Sequence, residues 1–325
     1  MRGKVFPCVW HLEWVFFGLD NGMWEGSSRM MLGGRFPVIM ALLLVGLLWG
    51  SSFPLIAMAA PSFGAVGTTH GRLVIAALAL ALIAVSSKVT WQAVGRRFPS
   101  FLLLAGMNVV GPLVLVATAI MGLNSSMASV LNATTPMFTV FVAWFWLRQK
   151  ITWRKLGGVA IGIAGVSVLV GGAPLQMDNR AMLAVGASLL AALLYAMGGV
   201  YTRKAFHGTP PMVVALGQQL AGVGLLIPVT AIAPPPGPID FGPTIAVVVL
   251  GLGATAGGYL IYFWIIRQAG PVAASGVTLL VPVSASTIGV LWLGEPVTSG
   301  LILGLVVILA GVGMLIDFPR PKERP

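Results

Sequence analysis

The chain has 325 residues, of which 58% are hydrophobic and only 8% charged, with a mean hydropathy of +0.97. Soluble domains carry about 25% charged residues, so this composition excludes a water-covered globule of this size. The net charge of +11 is broken into short clusters between apolar runs, among them Arg96-Arg97, Arg148 with Lys150, Arg154-Lys155 and Arg203-Lys204. Nucleic acid needs a continuous basic stripe, whereas interrupted clusters orient loops at a lipid bilayer, so the expected surroundings are lipid and nucleic acid is not an expected partner.

Residues 1–36 form an N-terminal extension. Its apolar stretch, Val5 to Leu19, is interrupted by His11 and Glu13, too short and too polar to span, and it lacks the clean apolar core and small-residue cleavage site of a signal peptide. Trp10, Trp14, Phe16 and Phe17 suit a headgroup surface. The favoured alternative is that synthesis begins at Met30 or Met31, so that deleting residues 2–29 leaves insertion intact. The single cysteine, Cys8, supports neither a disulfide nor a multi-cysteine metal site, and no metal or cofactor is expected.

About 20 apolar residues are needed to cross a bilayer. Ten such runs follow, near 37–58, 63–86, 99–121, 125–147, 154–171, 181–202, 211–233, 243–266, 272–293 and 299–316. The predicted fold is therefore an all-α integral membrane protein of ten transmembrane helices. Pro54, Pro112, Pro136 and Pro282 fall inside runs, which membrane helices accommodate because neighbouring groups re-satisfy the freed carbonyls. With a cytoplasmic N-terminus, 17 of the 19 Lys and Arg lie in segments facing the cytoplasm, Arg180 lies outside, and Arg72 lies within the second run. This asymmetry predicts cytoplasmic N- and C-termini in the plasma (inner) membrane.

The chain also aligns with itself at an offset of 146 residues. Leu47-Leu48-Trp49 meets Leu193-Leu194-Tyr195, Gly111 meets Gly257, Ser129 meets Ser275, Pro136 meets Pro282, Thr152 meets Thr298, Gly158 meets Gly304 and Gly165 meets Gly311. The division is into a first repeat over 37–171 (helices 1–5), a second over 181–317 (helices 6–10) and a tail over 318–325. Five helices per repeat make the second enter the membrane from the opposite side. Such inverted repeats recur in secondary transporters that work by alternating access.

The motifs of these runs resemble the ten-helix branch of the drug/metabolite transporter superfamily, the EamA-type permeases. The resemblance rests on Leu47-Leu48-Trp49-Gly50-Ser51-Ser52-Phe53-Pro54 and Arg72. It continues in Gly258-Tyr259-Leu260-Ile261-Tyr262-Phe263-Trp264, Gly294-Glu295-Pro296-Val297-Thr298 and Gly311-Val312-Gly313. It implies export or uptake of an amino acid or other small metabolite through a cavity between the halves. One departure is clear: where that family often carries a glutamate after the fourth helix, this chain has Gln149.

Arg72 is the leading candidate for substrate binding, because an ionised side chain inside a span usually faces protein or a water-filled cavity. The alternative is bonding to backbone carbonyls. Its mate at the offset, Gln218, and adjacent Gln219 can bond substrate or act as interhelical glue. Trp49 and Tyr195 offer aromatic faces, and Asn108, Asn132, Tyr259 and Tyr262 are further mid-span candidates. Packing is the competing role for each. Structural roles are expected for Pro136 and Pro282, for Gly158 and Gly304 in small-residue spacings, and for Glu295 as a turn and helix-start element. His70, near the outer part of helix 2, reads as a satisfied structural residue. The runs hold no interior carboxylate, so a membrane enzyme, which needs converging acids, histidines or metal ligands, is not expected. A scaffold or receptor is the other alternative to a transporter.

Overall fold

The computed structural model describes residues 32–86, 91–172 and 178–315. The N-terminal extension up to residue 31, Lys88, and the tail from residue 316 lie outside the described residues. The described residues are helical and contain no strand. In chain order the helices are α1 (Leu32–Gly50), α2 (Ser52–Ser86), α3 (Trp91–Arg96), α4 (Phe98–Ala105), α5 (Gly111–Ile120), α6 (Ser125–Asn132) and α7 (Thr135–Leu147). They continue as α8 (Trp153–Gly171), α9 (Asn179–Ala205), α10 (Pro211–Ile232), α11 (Phe241–Val249), α12 (Gly258–Ser275), α13 (Val277–Leu293) and α14 (Ser299–Leu315). Two π-helical stretches, Gly106–Val110 and Leu250–Gly257, link α4 to α5 and α11 to α12.

Among the described residues, seven stretches are long and apolar enough to cross a membrane: Phe36–Val85, Phe98–Ile120, Ser125–Leu147, Trp153–Gly171, Asn179–Ala205, Pro211–Ile232 and Phe241–Ala269. Val277–Leu293 and Ser299–Leu315 are shorter apolar helices. Large apolar side chains such as Leu82, Leu183 and Leu291 stand on the outside, the arrangement lipid permits and water penalises.

The interruptions have local causes. Pro54 has no N–H for the Gly50 carbonyl, and the chain breaks between α1 and α2. There the hydroxyls of Ser51 and Ser52 donate to Leu48 O at 3.0 and 3.3 Å. Gly64, with φ 70° and ψ 172°, adopts a conformation open to glycine and divides α2. Pro236 packs over this point, and the Gly237 N–H donates to Ser62 O at 3.3 Å. Pro136 separates α6 from α7, whereas Pro282 lies within α13. Pro112 follows the first π-helical stretch. In the second, the Thr255 hydroxyl donates to Leu250 O, five residues back, at 2.9 Å.

Packing places positions 146 residues apart in matching roles. The π-helical stretches overlap at that offset. Gly71 faces Val247, while Gly217 faces Phe101; an added Cβ would meet these side chains at 2.8 and 2.6 Å. Thr152 and Thr298 both cap helices, accepting from Lys155 N at 3.4 Å and Leu301 N at 3.1 Å. Arg148 and Gly294 both end helices in the left-handed region, at φ 55° and 66°.

α8 and α14 meet along a glycine seam. A Cβ on Gly158 would lie 2.8 Å from Gly311 O, and one on Gly311 would lie 2.6 Å from Gly158 O. Gly165 and Gly304 sit equally close to the backbones of Ile308 and Leu169. Such close approach maximises dispersion contact where no hydrophobic drive exists.

Candidate functional site

A cavity of about 580 Å³ lies within the bundle. α2 contributes Arg72, which is 7% exposed. Gly71 on α2 lets the helix lie against Val247, and Gly251 receives Ile75 and the Arg72 carbonyl at close range. This fit carries Arg72 to the π-helical stretch, where Nε donates to Thr255 Oγ1 at 2.5 Å. Because the Thr255 hydroxyl hydrogen is already given to Leu250 O, its lone pairs are free to accept. Nη1 of Arg72 is buried and has no hydrogen-bond partner among the described residues.

The corresponding arrangement on α10 is neutral. Gln218 Oε1 accepts from Asn108 Nδ2 at 2.9 Å, joining α10 to the first π-helical stretch. Gln219, fully buried, has neither Oε1 nor Nε2 bonded among the described residues. Asn132, at the end of α6 beside the Pro136 break, likewise leaves Oδ1 without a partner. All of these line the cavity.

The aromatic wall is continuous. Trp49 Nε1 donates to Ala254 O at 3.0 Å, which orients the indole. Tyr262 packs against it at 5.1 Å between centroids, and Tyr259 meets it edge-on at 6.1 Å. Tyr259 stacks in turn on Phe263 at 6.0 Å. Tyr195 lines the cavity from α9.

The nine residues singled out from the sequence as binding candidates thus line one cavity, and so do Pro136 and Pro282. Gly158 and Gly304 lie on the α8–α14 seam instead. His70 does not line the cavity, and its Nδ1 meets Thr230 Oγ1 at 2.8 Å. Glu295 precedes α14 by four residues but bonds elsewhere. Its carboxylate accepts from Ser125 N at 2.7 Å, Ser126 N at 2.9 Å and the Ser126 hydroxyl. It therefore stabilises the N-terminus of α6, where unsatisfied N–H groups and the helix dipole favour an anion.

Sequence reasoning missed Thr255. A span threonine usually returns its hydroxyl to its own helix, and only the meeting of α2 with the second π-helical stretch gives this one a further task. Other lining hydroxyls, such as Thr135, Thr202, Thr209 and Thr278, carry no distinguishing pattern. No cluster of three or more metal-ligating side chains occurs among the described residues.

The model of the EamA-like transporter family matches this chain twice, over residues 36–171 and 182–316. The chain belongs to the EamA-like transporter family. A relative named "Probable terminal-alkyne amino-acid exporter", from Streptantibioticus cattleyicolor, is 27% identical over 86% of this chain and 93% of its own length. An S-adenosylmethionine/S-adenosylhomocysteine transporter of Chlamydia trachomatis is 24% identical over 85% of this chain and 88% of its own. An uncharacterized transporter of Bacillus subtilis, YoaV, is 24% identical over 88% and 99%. One crystal structure shares the fold with a TM-score of 0.62 at 18% identity, covering 86% of this chain and 96% of the other. The family and these relatives are named as transporters, not enzymes. With its apolar helices, this chain is a multi-pass membrane transporter.

Proposed function

We propose that this transporter is a secondary exporter of a small metabolite, such as an amino acid or a related compound. In this reading it works by alternating access between two inverted five-helix repeats, residues 37–171 and 181–317. The observation that carries the reading is the cavity, lined from both halves by polar and aromatic side chains on neighbouring helices. The reciprocal contacts Gly71–Val247 and Gly217–Phe101 support the repeats, since each half presents the same helix face to the other. The amino-acid exporter among the relatives supports the solute class and the direction.

Ten crossings follow if the 50-residue stretch Phe36–Val85 counts as two, divided at Gly64, and the two shorter apolar helices are added to the other six long stretches. The clustering of Lys and Arg favours cytoplasmic termini. Reporter fusions after residue 205 should then read cytoplasmic and fusions after residue 122 external; the reverse pattern would sink this topology.

Transport is tested in vesicles reconstituted with the purified protein and preloaded with labelled amino acids. Saturable, solute-selective efflux exceeding that of empty vesicles is expected. A protein that binds solutes but moves none would be a receptor.

A further inference from the structure

The geometry points to a ligand that brings a carboxylate and a flat apolar body to this cavity, and that needs no ammonium group to be recognised. Calling that ligand the substrate rests on the transport reading above; the binding site itself does not.

The argument starts from charge. A guanidinium within a span is costly unless its charge is met. The described residues include only three acids, Asp178, Asp240 and Glu295. Asp178 caps α9 by accepting from Ala181 N at 2.8 Å, Asp240 precedes α11, and Glu295 is held by the start of α6. None lines the cavity. Arg72 therefore has a hydroxyl on Nε, a buried Nη1 without a partner, and no carboxylate among the described residues. A guanidinium presents planar paired donors that match a carboxylate in two-pronged fashion. With Nε fixed by Thr255, the plane of that fork is set before a ligand arrives, which lowers the ordering cost of binding.

The same census speaks against a required ammonium. No anionic side chain among those lining the cavity can pair with one. The amide oxygens of Asn132 and Gln219 can accept a neutral or charged donor, but they discriminate weakly between an amine and a hydroxyl. The Trp49, Tyr259 and Tyr262 rings, with Phe206 and Phe263, supply the apolar wall. Aromatic rings pack there in the offset and edge-on arrangements they prefer.

Three probes sharing one phenyl body separate the contributions: 3-phenylpropionate has the carboxylate alone, phenylalanine has both groups, and phenethylamine has the amine alone. Binding is measured by calorimetry on the purified, detergent-solubilised full chain at one pH. The two carboxylates should bind within about tenfold of each other, and phenethylamine roughly 10- to 100-fold more weakly, the range of a charge-assisted hydrogen bond. Arg72→Gln should bring the carboxylates down to the level of phenethylamine, and Arg72→Lys should recover part of the loss. Phenethylamine binding as tightly as 3-phenylpropionate, no binding by either carboxylate, or unchanged affinity in a folded Arg72→Gln variant would each overturn the inference. Should neither Arg72 variant fold, the three probes on the unaltered chain decide alone. Flux of some other solute with no carboxylate bound would defeat this inference and leave transport standing. Carboxylates that bind but never cross would defeat transport and leave the site.

Discussion

The two halves of the molecule build the same junction from different chemistry. On one side α2 reaches the Leu250–Gly257 stretch through Arg72 and Thr255; on the other α10 reaches the Gly106–Val110 stretch through Gln218 and Asn108. Arg72 and Gln218 stand at corresponding positions, and glycines one residue earlier, Gly71 and Gly217, let both helices approach their partners. The backbone arrangement is common to both, so the charge is a local choice. The lesson is that packing determined where a polar group enters the cavity, while the side chain decides what it holds. A second contrast lies at the helix ends. Glu295 binds three donors at the start of α6, whereas Gln149, its counterpart after α7, is exposed.

This second contrast gives the largest expected effect. Glu295→Ala strands two N–H groups and a hydroxyl at the start of α6, and should cost about 2–4 kcal/mol. Gln149→Ala should stay within about 0.5 kcal/mol. Thermal unfolding in detergent measures both, and equal effects would erase the contrast. Next comes the junction itself. Thr255→Val removes the acceptor for Arg72 Nε while keeping volume, and should weaken carboxylate binding by roughly 3- to 10-fold, about 1 kcal/mol. Asn108→Ala, which frees the neutral Gln218, should change it by about threefold or less. Calorimetry with 3-phenylpropionate distinguishes them, and a larger effect at Asn108 would reverse the ranking of the halves. The narrowest expected difference lies between the matching caps. Thr298→Ala should cost about 1 kcal/mol and Thr152→Ala about half that, because the Thr152 bond is longer, 3.4 against 3.1 Å, and more exposed. A larger loss at Thr152 would show that cap geometry is not what sets the difference.

Much of this was legible in residue order. Apolar run length and charge placement read as a helical membrane protein, and the offset of 146 residues pairs Arg72 with Gln218. Mid-span polar and aromatic residues are few in so apolar a chain, so those singled out had a good chance of sharing one interior, and all nine line the cavity. What escaped depends on tertiary approach. The partnership of Arg72 with Thr255 spans 183 residues, and that of Glu295 with Ser125 spans 170; neither leaves a local pattern. Glu295, read as a turn and helix-start element, follows the left-handed Gly294 at the end of α13, and its carboxylate bonds the start of α6. The divide of α2 falls at Gly64, just inside the run read as 63–86, because a positive φ is what ends the helix there. Pro136 and Pro282 look alike in sequence, yet only the first coincides with a break between helices.

The glycine seam between α8 and α14 has a consequence for how the chain is made. Gly158 and Gly311 meet across the contact, yet synthesis reaches the second only after a further 153 residues (311 − 158). At about 5–20 residues per second, α8 waits roughly 8–30 s for this partner. The first half therefore cannot reach its finished packing during its own synthesis, and this seam forms only once α14 has been made.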